Sequence, residues 1–262
     1  FFLVAAVALT AACGSTTTAD NPAPRLIRID PSMLVASRGS GTVTLTAEGE
    51  GFVAGSEILF GGSPRTTTFV SATRLQTTLA GADLDVGRIV DVSVRSPAPG
   101  GGTSGVATLT IANLAPVLDE LRPASLVVGL PQASVTLAGS GFSAVSRVVV
   151  DGMERVNATT FVSSTQLTVA LSGSDLATAR TINILVVTPP PGGGASQVRP
   201  LTLANPAPVL RTVMPAFAVA GDREVQLILQ GSGFTRASSA RWNGELRATI
   251  YQSSGQILVT LR

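Results

Sequence analysis

Few side chains in this sequence have the type and spacing to do chemistry. The only thiol belongs to Cys13, and there is no histidine. One cysteine cannot close an internal disulfide. Without histidine, neither a Cys/His metal site nor a His-based triad can be assembled. Asp83 and Asp85 stand two apart, as carboxylates at a calcium site can. Calcium takes six to eight oxygens, however, and Asp83-Leu84 also suits the cap of a single helical turn. Trp242, the sole tryptophan, could stack on a sugar ring or sit at a strand end in the core or at its rim. Asn157-Ala158-Thr159 matches a glycosylation sequon. Pro99-Gly100-Gly101-Gly102 and Pro191-Gly192-Gly193-Gly194 could cradle an anion. They lead into strands rather than into a helix N-terminus, so flexible hairpins are expected there. No catalytic residue, metal or cofactor is expected in this sequence.

Cys13 gains meaning from what precedes it. Phe1 to Ala12 is an unbroken run of apolar and small residues. It is shorter than the ~20 residues needed to span a bilayer, and it matches the hydrophobic region of a signal peptide. Leu9-Thr10-Ala11-Ala12-Cys13 resembles a bacterial lipobox. There the cysteine thiol receives a diacylglyceryl group and becomes the mature N-terminus. Thr10 occupies the usual leucine position, with leucine one place earlier at Leu9, and no basic stretch precedes the run. An ordinary signal peptide with an incidental cysteine is the other reading. The lipobox reading is favoured because the only cysteine falls at the one place a lipobox needs it. On it, residues 1–13 are a signal peptide with Cys13 as the lipid attachment site, and residues 14–22 are a polar tether.

Composition narrows the partners. The 18 basic residues are all Arg, they are scattered, and the net charge is +2. That is too little positive charge, too evenly spread, for a nucleic-acid surface. Hydrophobic residues make up 45% but aromatics only 4%, with 27 Gly and 16 Pro. Such a composition suits short strands joined by tight turns.

The elements that would carry these residues repeat. Asn21, Asn113 and Asn205 each open an Asn-x-Ala-Pro sequence, at a spacing of 92 residues. Phe69 and Phe161, Leu75 and Leu167, and Asp83 and Asp175 keep the same step. Asp85 becomes Ala177 in the second copy, which weakens the calcium reading. A period this long is the size of a self-contained domain rather than of a solenoid unit. Each copy holds an alternating strand that enters a Gly-x-Gly-Phe turn. Val43-Thr44-Leu45 leads to Gly49-Glu50-Gly51-Phe52, and Val135-Thr136-Leu137 leads to Gly139-Ser140-Gly141-Phe142. In the third copy, Val225 to Leu229 leads to Gly231-Ser232-Gly233-Phe234. Gly61-Gly62, Asp151-Gly152 and Asn243-Gly244 are three spellings of a tight hairpin turn. With about seven short strands per repeat and turn signals every 8–12 residues, each copy reads as a β-sandwich.

These residues resemble the IPT/TIG family of immunoglobulin-like domains. The resemblance rests on Gly-x-Gly-Phe, on Thr67-Thr68-Phe69-Val70-Ser71-Ala72-Thr73-Arg74-Leu75 and Thr159 to Leu167, on the Asp-Leu turns, and on the Pro-Gly-Gly-Gly loops. It covers residues 21–262. The third copy departs from it, with Tyr251 in place of the Phe and no Pro-Gly-Gly-Gly. The resemblance implies an all-β chain of tandem immunoglobulin-like sandwiches. Domain 1 would span residues 23–112, domain 2 residues 113–204, and a partial domain 3 residues 205–262. The sequence is then expected to be a fragment open at both ends. Members of the family occur in receptors, in Rel-type transcription factors, beside starch-acting enzymes, and in tandem on bacterial surface proteins. A lipobox followed by tandem copies points to the last group. The expectation is a non-enzymatic, exported lipoprotein of the cell envelope, held to the membrane through Cys13. Its modules would form a stalk or an adhesion surface for a protein or carbohydrate ligand, with Trp242 as a weak ligand candidate. The alternative is a spacer in a larger secreted, carbohydrate-active enzyme with its catalytic domain beyond residue 262.

Overall fold

The computed structural model describes residues 19–36, 41–219, 221 and 223–262. The chain divides into two compact units, Phe1–Ala112 and Asn113–Arg262.

Among the described residues, ten strands build the first unit. They are β1 (Arg25–Asp30), β2 (Met33–Val35), β3 (Thr42–Glu50), β4 (Glu57–Phe60), β5 (Ser63–Pro64), β6 (Thr67–Ser71), β7 (Arg74–Ala80), β8 (Arg88–Ser96), β9 (Gly102–Thr103) and β10 (Ala107–Ala112). One sheet runs β1-β3-β7-β6 and the other β2-β10-β8-β4-β5, with β9 paired to β8. This is the two-sheet arrangement of an immunoglobulin-like sandwich. The opening segment serves both layers. β1 pairs antiparallel with β3, and β2 then pairs parallel with β10. Alternation along the strands turns Leu45, Ala47, Leu75 and Leu79 of one sheet toward Ile58, Val92, Val94, Leu109 and Ile111 of the other, and all nine are buried in one cluster.

The second unit repeats this plan. Val117–Arg122, Gln132–Ser140, Gln166–Ser172 and Thr159–Ser163 form one sheet. Ser125–Val127, Arg199–Ala204, Arg180–Thr188, Arg147–Val150 and Met153–Glu154 form the other. Its core is a separate cluster that includes Val135, Leu137, Leu167, Ile184 and Leu203.

The pairing corrects one equivalence drawn from sequence. Leu45 lies opposite Thr77 and Ala47 opposite Leu75, whereas Val135 lies opposite Val169 and Leu137 opposite Leu167. Leu45 and Ala47 therefore occupy the places of Val135 and Leu137, and the Val-Thr-Leu match is two residues out of step. The segment between β2 and β3 is two residues longer than its counterpart. The second unit recovers those two residues between Arg155 and Thr159, where Val156–Ala158 forms a short 3-10 turn. The even period of 92 conceals two compensating length changes.

The two glycines of the Gly-x-Gly-Phe turn are needed for different reasons. Gly51, Gly141 and Gly233 have φ of 71°, 71° and 74°, a region that other residues rarely adopt. Gly49 is needed for space. A Cβ there would stand 2.0 Å from the carbonyl oxygen of Arg25 and 2.7 Å from the Phe52 ring. The turn returns Phe52, Phe142 and Phe234 to buried positions.

Residues 205–262 form one five-stranded sheet in the order Val209–Met214, Val225–Ser232, Gln256–Leu261, Glu245–Ser253, Ala240–Trp242. In the first unit β4 bonds to β8. Here the equivalent strand, Ala240–Trp242, bonds to Glu245–Ser253, which runs unbroken through the places of β5 and β6.

Candidate functional site

Three constellations recur around the β4–β6 corner, and sequence analysis does not single them out. After each tight turn comes an arginine: Arg65, Arg155 and Arg247. Then comes a threonine whose hydroxyl closes the corner. The Thr67 hydroxyl donates to the Arg65 carbonyl (2.8 Å) and accepts from the Ile58 N–H (2.8 Å). Thr159 and Thr249 make the same pair of bonds. Arg65 then reaches Asp83 at 2.6 Å, and Arg155 reaches Asp175 at 2.5 Å. In all three arginines Nε is buried without a hydrogen-bond partner. The signal in the sequence is a Gly-x-x-Arg followed closely by Thr in every copy.

These pairs answer the calcium question. Asp83 accepts from the Ala80 N–H at 3.4 Å, from the last position of the 3-10 turn Gly81–Asp83. It therefore reaches back from the last position of the turn to the N–H ahead of it, the third-position half of a capping box. Its other partner is a guanidinium. Among the described residues, no three His, Cys, Asp or Glu side chains gather where a metal ion could be held. Asp175 is bound more tightly. It accepts from the Ser172 N–H (2.8 Å) and hydroxyl (2.7 Å) as well as from Arg155. Burial opposes its ionisation. The Ser172 hydroxyl and N–H and the Arg155 guanidinium outweigh burial and hold its carboxyl below the ordinary range.

The Pro-Gly-Gly-Gly loops close hairpins, as between β8 and β9, and each holds an asparagine. The Asn21 N–H donates to the Pro99 carbonyl (2.8 Å), the Asn21 carbonyl accepts from Gly101 (2.8 Å), and Asn21 Nδ2 donates to the Pro97 carbonyl (2.9 Å). Asn113 is gripped in the same way by Pro191, Gly193 and Pro189. The two motifs that mark the period most clearly are thus the two halves of one clasp.

The other sequence candidates lie apart. Asn157 is exposed on the inserted 3-10 turn, while the Thr159 hydroxyl of its sequon is engaged as described. Trp242 is 47% exposed, whereas its counterparts Phe60 and Val150 are 4% and 1% exposed. Those two lie in the buried core clusters, on strands that pair with β8 and with Arg180–Thr188 in their own sheets. Among the described residues, Ala240–Trp242 pairs only with Glu245–Ser253 and has no strand in the place of β8. Its exposure is that of a core position with one side uncovered. Cys13 and the rest of the lipobox lie outside the described residues.

An open groove of about 710 Å³ lies on the first unit, where the β4–β5 turn meets the start of β8. Phe60, Gly61, Arg65, Arg88, Asp91 and Ser93 are among its lining residues. The guanidinium carbons of Arg65 and Arg88 lie 5.1 Å and 5.8 Å from the Phe60 ring centre. Arg65 is neutralised by Asp83. Among the described residues, the Arg88 side chain donates to the Asp83 carbonyl, at 3.2 Å, and it stays exposed. The groove therefore offers a guanidinium fork, a carboxylate and a hydroxyl. No nucleophile–base pair lines it.

No family model and no curated protein matches the chain. Solved structures are similar to it at low identity. The plexin A4 extracellular region is 12% identical, with 95% of this chain and 21% of that one covered and a TM-score of 0.31. SGBP-B from a xyloglucan utilization locus of Bacteroides uniformis is 13% identical, with 80% and 66% covered and a TM-score of 0.31. The titin I9–I11 tandem is 8% identical, with 93% and 89% covered and a TM-score of 0.27. The chain thus spans about a fifth of the plexin chain. At these values no activity of those proteins is carried to this one.

Proposed function

We propose that this protein is a lipid-anchored, non-enzymatic component of a bacterial cell envelope, with IPT/TIG-type modules that present binding surfaces for a protein or carbohydrate ligand. Residues 1–13 are its signal peptide and lipobox, Cys13 carries the lipid, and residues 14–22 are the tether. The modules are residues 23–112, residues 113–204 and the partial module from residue 205 to 262.

One observation carries the reading. The residues that the copies share all serve the fold: the Gly-x-Gly-Phe turn, the asparagine clasp and the arginine–aspartate brace. Exposed turns differ between the copies, as at Gly61 and Asp151. Repetition of a frame with variation of its surface is how a binding array is built. The short, proline-containing links at Asn113 to Pro116 and Asn205 to Pro208 suit a stalk.

Two measurements test this. Metabolic labelling with a fatty acid should mark the wild-type protein and leave Cys13→Ala unlabelled. Labelling of both proteins, or of neither, would remove the anchor from the proposal. The full chain displayed on glycan and protein arrays should find a saturable partner. Silence on both arrays would sink the binding role.

A further inference from the structure

The same turn is built in both units, but only one of them fills it. In the second unit the Asp151 carboxylate accepts from the Arg180 guanidinium and, at 2.9 Å, from the backbone N–H of Asn183. Residue 151 sits at φ 48°, which aspartate tolerates. The first unit keeps the surrounding donors. Arg88 is the counterpart of Arg180, and the Asp91 N–H is the counterpart of the Asn183 N–H. The turn also has the same register, with the Gly61 N–H donating to the Asp91 carbonyl and the Asp151 N–H to that of Asn183, both at 2.9 Å. The acceptor is missing, and Asp91 stands where Asn183 stands. Gly61, at φ 57°, stands where Asp151 stands, and it has no side chain to offer.

A guanidinium fork and a backbone N–H beside a missing carboxylate form a receptor for one. The rest of the groove says what such a ligand should carry. The Asp91 carboxylate and Ser93 hydroxyl can accept from hydroxyl groups, and Ile89 and Val106 offer exposed apolar surface for the C–H face of a ring. The geometry points to a carboxylate-binding subsite in the first unit, made by Arg88 and the Asp91 N–H, whose ligand is a uronic acid residue of an acidic polysaccharide. The assignment rests on the binding-module reading above and specifies one of its surfaces. The second unit, with Asp151 in place, is the same subsite closed by its own side chain.

The test is an amide-resolved NMR titration of the full chain with galacturonate, with galactose and with propionate. Galacturonate should shift the Asp91 amide and the Arg88 side-chain N–H. Galactose should leave them in place, and propionate should need at least a tenfold higher concentration. Gly61→Asp installs the closing carboxylate. A Cβ at Gly61 meets nothing nearer than Val90, at 3.6 Å, and the second unit shows aspartate in this conformation. This variant should keep the spectrum of the folded protein and lose the galacturonate response at least tenfold. Asp151→Gly should gain a response at the Asn183 amide. If Gly61→Asp titrates like wild type, or galactose matches galacturonate, the subsite is wrong. If propionate matches galacturonate, the uronate assignment is wrong. Should arrays reveal another ligand whose affinity Gly61→Asp leaves unchanged, the subsite falls and the binding-module reading stands. Silence in both titrations and arrays would end both.

Discussion

The first two copies are one frame with two different corners. Both bury a phenylalanine behind Gly-x-Gly, clasp an asparagine with a glycine loop and brace an arginine with an aspartate. At the β4–β5 turn they part: Gly61 leaves Arg88 without a carboxylate, and Asp151 gives one to Arg180. They also part at the brace, where Ala80 stands in the first copy and Ser172 in the second. The comparison separates two kinds of constraint. The turn, clasp and brace depend on particular backbone angles, close approaches and partners, so those residues recur. An exposed turn admits several answers, so its side chain is free to decide what the surface binds.

The largest effect should test the shared frame. Phe52→Ala and Phe142→Ala should each cost about 3–5 kcal/mol, because each empties a buried site that the surrounding sheets cannot collapse to fill. Chemical denaturation with hydrogen exchange resolved by unit would measure both. A cost in only one copy would break the equivalence.

The brace should then distinguish the copies. Asp175→Ala removes the partner of the Ser172 hydroxyl, the Ser172 N–H and Arg155, and should cost about 2 kcal/mol. Asp83→Ala removes fewer bonds and should cost about 1 kcal/mol. Equal losses would mean that Ser172 contributes nothing.

Acid should act on the second copy in a defined direction. Arg180 and the Asn183 N–H lower the Asp151 carboxyl, and Asp175 is lowered as well; the ordinary value is 3.8 for both. A lowered folded-state pKa gives stability that is present above the unfolded value and lost as pH falls through the folded one. Melting of the second unit should therefore be level above about pH 5 and should fall below about pH 4. In Asp151→Asn, Asp175→Asn that fall should shrink. A fall unchanged in the double variant would place the sensitivity elsewhere.

Smaller effects sharpen the frame. Asn21→Ala and Asn113→Ala should each cost about 1 kcal/mol, through the lost Nδ2 bond to Pro97 or Pro189. Trp242→Ala should cost less than about 1 kcal/mol, since its ring is half exposed where Phe60 and Val150 are enclosed. A cost near that of Phe142→Ala would mean that the ring is covered in solution.

Some of this was legible in the residues themselves. Alternation along Val43 to Ala47 and Val135 to Leu137, punctuated by Gly-Phe and Asn-Gly-type turns, determined a repeated β-sandwich. Chain-local physics is enough for that: period-two burial and the few residues able to turn a chain. The absence of histidine and the lone cysteine likewise excluded whole classes of chemistry without any coordinates. What the sequence could not decide depends on residues brought together from far apart. Asn21 meets Gly101 across the unit, Arg155 meets Asp175 across a corner, and the equivalence of Leu45 with Val135 appears only when partner strands are paired. The empty place beside Arg88 is of the same kind. It is the absence of one side chain, measured against a second copy, and only the tertiary structure brings that glycine opposite that arginine.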